Sequence, residues 1–402
     1  MPATTKTIEA KLMFIDYTDE QRVLRNELRD YFVEIFTPAL REELKYSEGG
    51  TPEYTKALKK MGEDGWLGVG WPKKFGGQDR PTMDQFIFFD EVQRAGFPIP
   101  FLTLNTVGPA LARFGSDEQR GFYLPRILRG ECHFTIGYTE PSAGTDLASL
   151  KTTAVRDGDE YVINGQKVFS SLAHFADYIW LACRTDASVS KHKGISIIIV
   201  PTNTPGVSQT PIETMGENQT AAVYYDNVRV PVSNVVGGEN NGWKLITTQL
   251  NHERIALVAV GPLQRFIEEV RQWAITTSYS DGSRVIDEPW VQRNLAVLDS
   301  RTEVLKLLNW QQTQSIEEGR LSPADASALK VYGSEFFVEG YRLLMEILRE
   351  VGALKRESAG ALLEGRLERF YRALLILTFG GGTNEVQRDI IAMAGLRMPR
   401  SR

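Results

Sequence analysis

The sequence predicts an α+β fold in three parts: a helical N-terminal domain over residues 1–130, a β-rich, barrel-like domain over 131–240, and a C-terminal helical bundle over 241–402. Three observations carry this. Apolar residues recur at helical spacing up to about residue 130, give way to short β-rich runs, and return to helical spacing after NNGW (240–243). The β-rich runs are bounded by Gly, Pro, Asn and Asp, as in an antiparallel sheet or barrel. A chain of 402 residues with 42% hydrophobic content has enough apolar material for two or three domain cores.

In the first part, DEQRVLRNELRDYFVEIF (19–36) and MDQFIFFDEVQRAG (83–96) carry an apolar helix face, and GWPKKFGG (70–77) breaks the chain between helices. The middle part supplies EYVING, YIWLACRTD, GISIIIVP and AAVYYDNVRVP as strands. Four helical stretches follow, beginning at Asn251, Trp290, Ala324 and Leu362. KHKG (191–194) and SYSDGSRVIDEP (278–289) read as loops.

Several functional classes are disfavoured. A formal net charge of −5 with no Lys/Arg block offers no surface for nucleic acid. No apolar run approaches the roughly 20 residues that span a bilayer, and MPATTKTIEAKLMFIDYTDE lacks the apolar stretch of a secretory signal, so a cytoplasmic protein is expected. Cys132 and Cys183 sit in apolar surroundings and read as buried free thiols. The four histidines have no ligand spacing, which argues against a metal site.

Chemistry concentrates in two stretches. GVGWPK (68–73) is no dinucleotide fingerprint, because it lacks the final glycine and does not sit between a strand and a helix. FTIGYTEPSAGTD (134–146) suits a strand running into a hydroxyl-rich turn whose N–H groups would hold a phosphate or a polar heterocycle; a plain hairpin turn is the alternative. TFGGGTNEVQRDII (378–391) sets Gly380, Gly381 and Gly382 directly before a helix start. Ordering three glycines is costly, so they imply a strained turn, a close ligand, or side chains that had to be absent.

TEPSAGTD leading into TTAVRDGDEYVINGQKVFSS resembles the acyl-CoA dehydrogenase family, whose pattern is TEPxAGSD followed by a strand pair ending GxKxxIT. The resemblance covers nearly the whole chain, through GWLGVGWPKKFGG, DEQRGFYLPRILRGE, VRVPVSNVVG and GTNEVQRDI. It implies the acyl-CoA dehydrogenase fold, with FAD between the β-domain and the C-terminal bundle. It also implies removal of an α-proton and a β-hydride from an acyl-CoA to leave a trans-2-enoyl-CoA. By this likeness Tyr138, Thr139, Phe169 and Ser171 meet the flavin, while Gly144 and Thr145 lie near the phosphates or the acyl-CoA. Thr383 and Glu385 fall among the cofactor-binding positions as well. The family commonly has Trp and Thr where this chain has Phe169 and Ser171; an aromatic face and a hydroxyl both survive.

Many members carry their base as the Glu of a Tyr-Glu-Gly-Thr stretch, where this chain reads Gly380-Gly381-Gly382-Thr383. In members resembling isovaleryl- and long-chain-acyl-CoA dehydrogenases the base stands earlier, immediately before an Arg. LNHERIALVAVG places Glu253 and Arg254 there. The resemblance therefore implies Glu253 as catalytic base, the Gly381 N–H as donor to the thioester oxygen, and Arg254 and Gly380 as substrate contacts. A Glu-Arg pair on an amphipathic helix is otherwise a solvated face, but the apolar run after Glu253 points to a buried helix. Gly380 and Gly381 read as room for a bulky acyl group, and Asn384, with Gln387 three residues on, as the cap of the last helix.

Homotetrameric members hold the adenosine end of FAD from a neighbouring subunit through Arg-x-x-Phe-Gly and Gln-x-x-Gly-Gly-x-Gly segments. SYSDG (278–282) and EILREVG (346–352) stand there instead. That departure, with Glu253 and the glycines, resembles the catalytic subunits of actinobacterial α2β2 acyl-CoA dehydrogenases that degrade steroid side chains. It implies a steroid-CoA substrate, a homologous second subunit, and an electron-transferring flavoprotein as acceptor. A flavin monooxygenase on the same fold and a non-catalytic scaffold subunit are the competing readings.

Overall fold

The computed structural model describes residues 15–399, with the side chains of residues 250–256 outside the described residues. The N-terminal helices are α1 (Asp19–Ile35), α2 (Pro38–Glu43), α3 (Pro52–Glu63), α4 (Thr82–Ala95), α5 (Gly108–Phe114) and α6 (Asp117–Leu128). Their starts are written locally: Thr18 and Gln21 form a reciprocal capping box on α1, and Ser116 and Gln119 do the same on α6. Leu24, Leu28 and Phe32, four residues apart, give α1 the buried face that packs on α4.

Eight strands follow: β1 (Phe134–Gly137), β2 (Thr153–Asp157), β3 (Glu160–Ser171), β4 (Tyr178–Arg184), β5 (Ile195–Pro201), β6 (Val207–Ile212), β7 (Thr220–Pro231) and β8 (Val235–Val236). The sheet path is β6–β7–β3–β2–β4–β5–β8, with β1 beside β4. β2 and β4 meet only at Thr153 and Arg184, so the sheet is almost two, folded over a core that includes Ile163, Leu181, Ile198 and Val223. The expected antiparallel order holds except at β4, which runs parallel to β1 and β2; neither reaches it through a hairpin turn.

The C-terminal helices are α7 (Gly242–Leu257), α8 (Gly261–Thr276), α9 (Pro289–Glu317), α10 (Pro323–Leu348), α11 (Arg366–Leu374) and α12 (Asn384–Ile390). α10 is buried along most of its length and packs on the other five. Gly333 permits the closest approach, since a Cβ there would lie 2.6 Å from the Val258 side chain. Among the described residues no helix is long and apolar enough to cross a membrane. Cys132 and Cys183 are both buried and unbridged.

A buried acidic pair on α4 ties the N-terminal helices to the C-terminal bundle. Glu91 takes Arg25 and Arg29 of α1 at 2.8 and 2.9 Å, while Asp90 accepts the Gly261 N–H at the start of α8 at 2.7 Å. Burial, reinforced by the Glu91 charge, pushes the Asp90 carboxyl up to about 6, against the Gly261 hydrogen bond. An acid whose folded pKa exceeds its unfolded value of 3.8 favours folding most at low pH, and that contribution fades as pH rises towards about 6. Asp90→Asn keeps an acceptor for Gly261 and removes the titration. The unfolding free energy of the variant from urea titration, relative to wild type, is expected to rise between pH 4 and pH 6 by on the order of 2–3 kcal/mol and then level off. A difference independent of pH would contradict this.

Candidate active site

The end of β1 and the turn after it are held against β3 by a buried ion pair. The Lys167 side chain is fully buried and its Nζ donates to Glu140 Oε1 at 2.8 Å and to the Tyr138 carbonyl at 3.1 Å. Glu140 also accepts the N–H groups of Lys151 and Thr152 at 2.6 and 2.8 Å. Burial alone would raise this carboxyl; Lys167 and the two N–H groups outweigh it and hold Glu140 below its ordinary value. The turn itself closes by reciprocal backbone bonds between Glu140 and Ala143. Gly144 and Thr145 stand exposed beyond it.

These contacts gather four of the expected site residues. Val168 donates to the Thr139 carbonyl at 2.8 Å, and the Thr135 hydroxyl donates to the Ser171 carbonyl at 2.8 Å. β3 slips register against β7 between Lys167 and Ser170, and Phe169 in that irregularity has φ +58°. The distortion turns the Phe169 ring outward, where it is 61% exposed. Around it, Ser170 Oγ and Thr220 Oγ1 are buried without a hydrogen-bond partner.

The glycine turn is held by a second buried lysine. Lys330 of α10 is fully buried and donates to the Gly382 carbonyl and to Asn384 Oδ1, each at 2.8 Å. Gly381 and Gly382 have φ +68° and +95°, so the backbone itself favours glycine at both. A Cβ at Gly382 would lie 2.6 Å from Gln387 Nε2, and one at Gly380 would lie 3.0 Å from the Ile376 carbonyl. At Gly381 it would meet nothing within 4 Å. Of the three, only Gly381 would offer a Cβ open space; Gly382 serves the turn, and Gly380 lies close against Ile376.

The expected cap is displaced by one residue. Thr383, not Asn384, is the N-cap of α12, its hydroxyl accepting the Val386 N–H at 3.3 Å. Asn384 is instead buried, bonded to Lys330 and Ser334, and Gln387 reaches back to the Gly381 carbonyl at 3.4 Å. The cue at Asn384 was real but inward-facing: its amide serves α10. Glu385 lies exposed in the first turn of α12.

Glu253 and Arg254 fall on α7, and their side chains lie outside the described residues. One turn earlier on that helix, Gln249 is buried and links α7 to the β-domain: its Oε1 is 2.6 Å from Tyr138 Oη and 3.1 Å from Trp180 Nε1. The sequence reading missed Gln249, Lys167 and Lys330. The available signal was a polar residue at an inward position of an otherwise apolar element, as in SALKVYG.

Farther round the bundle, SYSDG and EILREVG meet each other. The Arg349 guanidinium lies over the Tyr279 ring at 4.9 Å, and Arg349 has φ +56°. A third junction joins all three parts of the chain. Glu48 holds Asn218 and Arg369, Arg372 holds Glu217 and Glu368, and a Cβ on Gly216 would touch the Ala373 backbone.

Family models for the N-terminal, middle and C-terminal domains of acyl-CoA dehydrogenase match residues 18–131, 135–228 and 240–396. This chain belongs to the acyl-CoA dehydrogenase family. The family comprises flavoprotein oxidoreductases acting on CH–CH groups. Acyl-CoA dehydrogenase FadE26 of Mycobacterium tuberculosis is 55% identical over 400 residues, covering 97% of this chain and 100% of that protein. The ChsE4-ChsE5 complex from Mycobacterium tuberculosis contains a chain 56% identical with a TM-score of 0.91, over 97% of this chain and 100% of that one. The Tcur3481-Tcur3483 steroid ACAD matches with 52% identity and a TM-score of 0.91, over the same shares of 97% and 100%.

In this acyl-CoA dehydrogenase the glycine turn depends on Lys330. Lys330→Met removes the donor to Gly382 and Asn384 and is expected to lower stability by about 1–3 kcal/mol in urea denaturation. An unchanged midpoint would contradict the assigned role.

Proposed function

We propose that this chain catalyses the FAD-dependent α,β-dehydrogenation of a bulky acyl-CoA thioester, of the steroid side-chain class, to the trans-2-enoyl-CoA. The observation that carries the reading is the glycine turn: position 381 offers an N–H and open space in place of a carboxylate, while α7 brings a Glu-Arg pair. Likeness to FadE26 and to a protein described as a steroid ACAD supports the substrate class.

The residues present suit a flavin. A planar heterocycle needs an apolar face and hydrogen-bonding groups at its edge. The exposed Phe169 ring supplies the first. The Ser171 hydroxyl, with the unpartnered Ser170 Oγ and Thr220 Oγ1 beside it, supplies the second. In this reading Tyr138, Thr139, Thr383 and Glu385 complete the cofactor's surroundings, and Gly144 and Thr145 lie near the phosphates or the acyl-CoA. FAD, when bound, supplies the acceptor for the hydride leaving the β-carbon.

The chain supplies the remainder. Glu253 removes the α-proton, and the Gly381 N–H donates to the thioester carbonyl oxygen as enolate-like charge develops there. Lys330 fixes the turn that aims this N–H, which reduces reorganisation during the reaction. Arg254 and Gly380 border the substrate.

A homologous second subunit completes the assembly in this reading. Met215, Ile376, Phe379, Leu396 and Met398 are large apolar side chains left exposed on this chain, a distribution that suits a covered face. The Arg349–Tyr279 contact occupies the region where homotetrameric members present adenosine-binding backbone. The heteromeric ChsE4-ChsE5 and Tcur3481-Tcur3483 assemblies support such a pairing. An electron-transferring flavoprotein then accepts the electrons.

The test is Glu253→Gln in the chain co-purified with its second subunit. Flavin absorbance is expected to persist while dye reduction with a steroid side-chain acyl-CoA falls by about 10²–10⁴-fold or more. Near wild-type turnover would remove Glu253 as the base.

A further inference from the structure

Around the first half of α7, three polar side chains are buried with an atom left unpartnered. Gln249 Nε2 is one, and Gln249 is 3% exposed. The other two, Asn105 Nδ2 and Thr106 Oγ1, belong to a π-helical turn, Leu102–Val107, that packs against both α7 and β1. Asn105 is 7% exposed and Thr106 1%. Such atoms are uncommon in folded proteins because each forfeits its hydration without replacement. Their occurrence on adjoining elements, one of them a π-helical turn of the kind frequent at functional sites, points to a shared ligand.

The orientation of the Gln249 amide is fixed by its neighbours. Its Oε1 faces the indole N–H of Trp180 at 3.1 Å and Tyr138 Oη at 2.6 Å. Turned over, the amide would set N–H against the indole N–H. Nε2 therefore keeps two donors directed away from this pair. The indole keeps an acceptor even without Gln249, because Trp180 Nε1 also reaches Tyr138 Oη at 3.1 Å. A side chain with its oxygen engaged and its two donors unused is suited to an acceptor brought from outside.

We propose that the acyl end of the site takes an acyl group carrying a ketone or hydroxyl oxygen, held by the amide N–H groups of Gln249 and Asn105. Thr106 can add a donor or an acceptor, which suits a hydroxyl as well as a ketone. Gln249 precedes Glu253 by about one helical turn, about 6 Å along α7. The recognised oxygen thus belongs to the acyl chain or to the first ring attached to it, near the reacting carbons. A hydrocarbon acyl group of the same shape leaves these donors unpaired and binds less well. This inference rests on the dehydrogenase reading above and narrows its substrate to oxygenated bulky acyl groups.

The experiment uses the heteromeric holoenzyme and two acyl-CoA probes with one fused-ring carbon skeleton. One bears a hydroxyl on the ring next to the side chain; the other lacks it. Wild type is expected to favour the hydroxylated probe in kcat/KM by roughly tenfold or more. Gln249→Met and Asn105→Leu, on separate elements and close in volume to the originals, should each bring that ratio towards one, mainly through KM. Melting temperatures of the two variants are read alongside, and either folded variant suffices. Equal use of both probes by wild type, or a preference kept in both variants, overturns the proposal while leaving the dehydrogenase reading intact. Turnover of neither probe by flavin-loaded enzyme overturns both. A structure of the complex with the hydroxylated probe, holding only water at Gln249, would also overturn it.

Discussion

Two fully buried lysines organise the polar parts of this chain, Lys167 in the sheet and Lys330 in the helical bundle. A buried ammonium is tolerated only when its hydrogen bonds are met, so each dictates the position of the groups that meet them. Lys167 requires Glu140 and the Tyr138 carbonyl, which brings the turn after β1 against β3. Lys330 requires the Gly382 carbonyl and Asn384, which sets the turn before α12. In each loop the polar contacts are set by the charge behind it.

Backbone in uncommon conformations stands in front of both charges. Phe169, Gly381 and Gly382 have positive φ, and Phe169 is a non-glycine residue that ordinarily avoids it. The irregularity in β3 sets an aromatic ring outward, and the glycines let the chain reverse next to an open space. Large apolar side chains are left exposed nearby on the turn and on the 215–217 loop, which is itself joined to α11 through Arg372 and Gly216. In the proposed assembly a cofactor, a substrate and a second subunit would together cover a surface that is a liability on a solitary protein.

Much of this was legible because it is local. Capping residues, helical periodicity and strand runs each act within a few positions, and the α+β division followed from them. TEPSAGTD was readable as a turn for the same reason. The contributions of Lys167, Lys330 and Gln249 were not, since each is defined by a partner many residues away, and a lysine in GQKVFSS reads equally as a surface charge. The glycines were half legible. Their number signalled a constraint, but dividing them between an open position at 381 and conformational need at 382 took the φ values and the neighbouring Gln387. Asn384 illustrates the limit: a good capping residue sat one position inside the helix because a buried lysine on another helix claimed its side chain.

The ion pair behind the turn, rather than any bound molecule, fixes the wall formed by Tyr138, Thr139 and Phe169. Amide hydrogen exchange on the chain without added flavin, in wild type and in Lys167→Met, tests it most directly. Loss of the ammonium strands the Glu140 carboxylate, a change that typically costs about 3–5 kcal/mol. Faster exchange is expected at Ala143, Lys151, Thr152 and Val168, with α8 to α10 keeping their protection. Wild-type protection at those four amides in a folded variant would contradict this and show that the turn is held by something else.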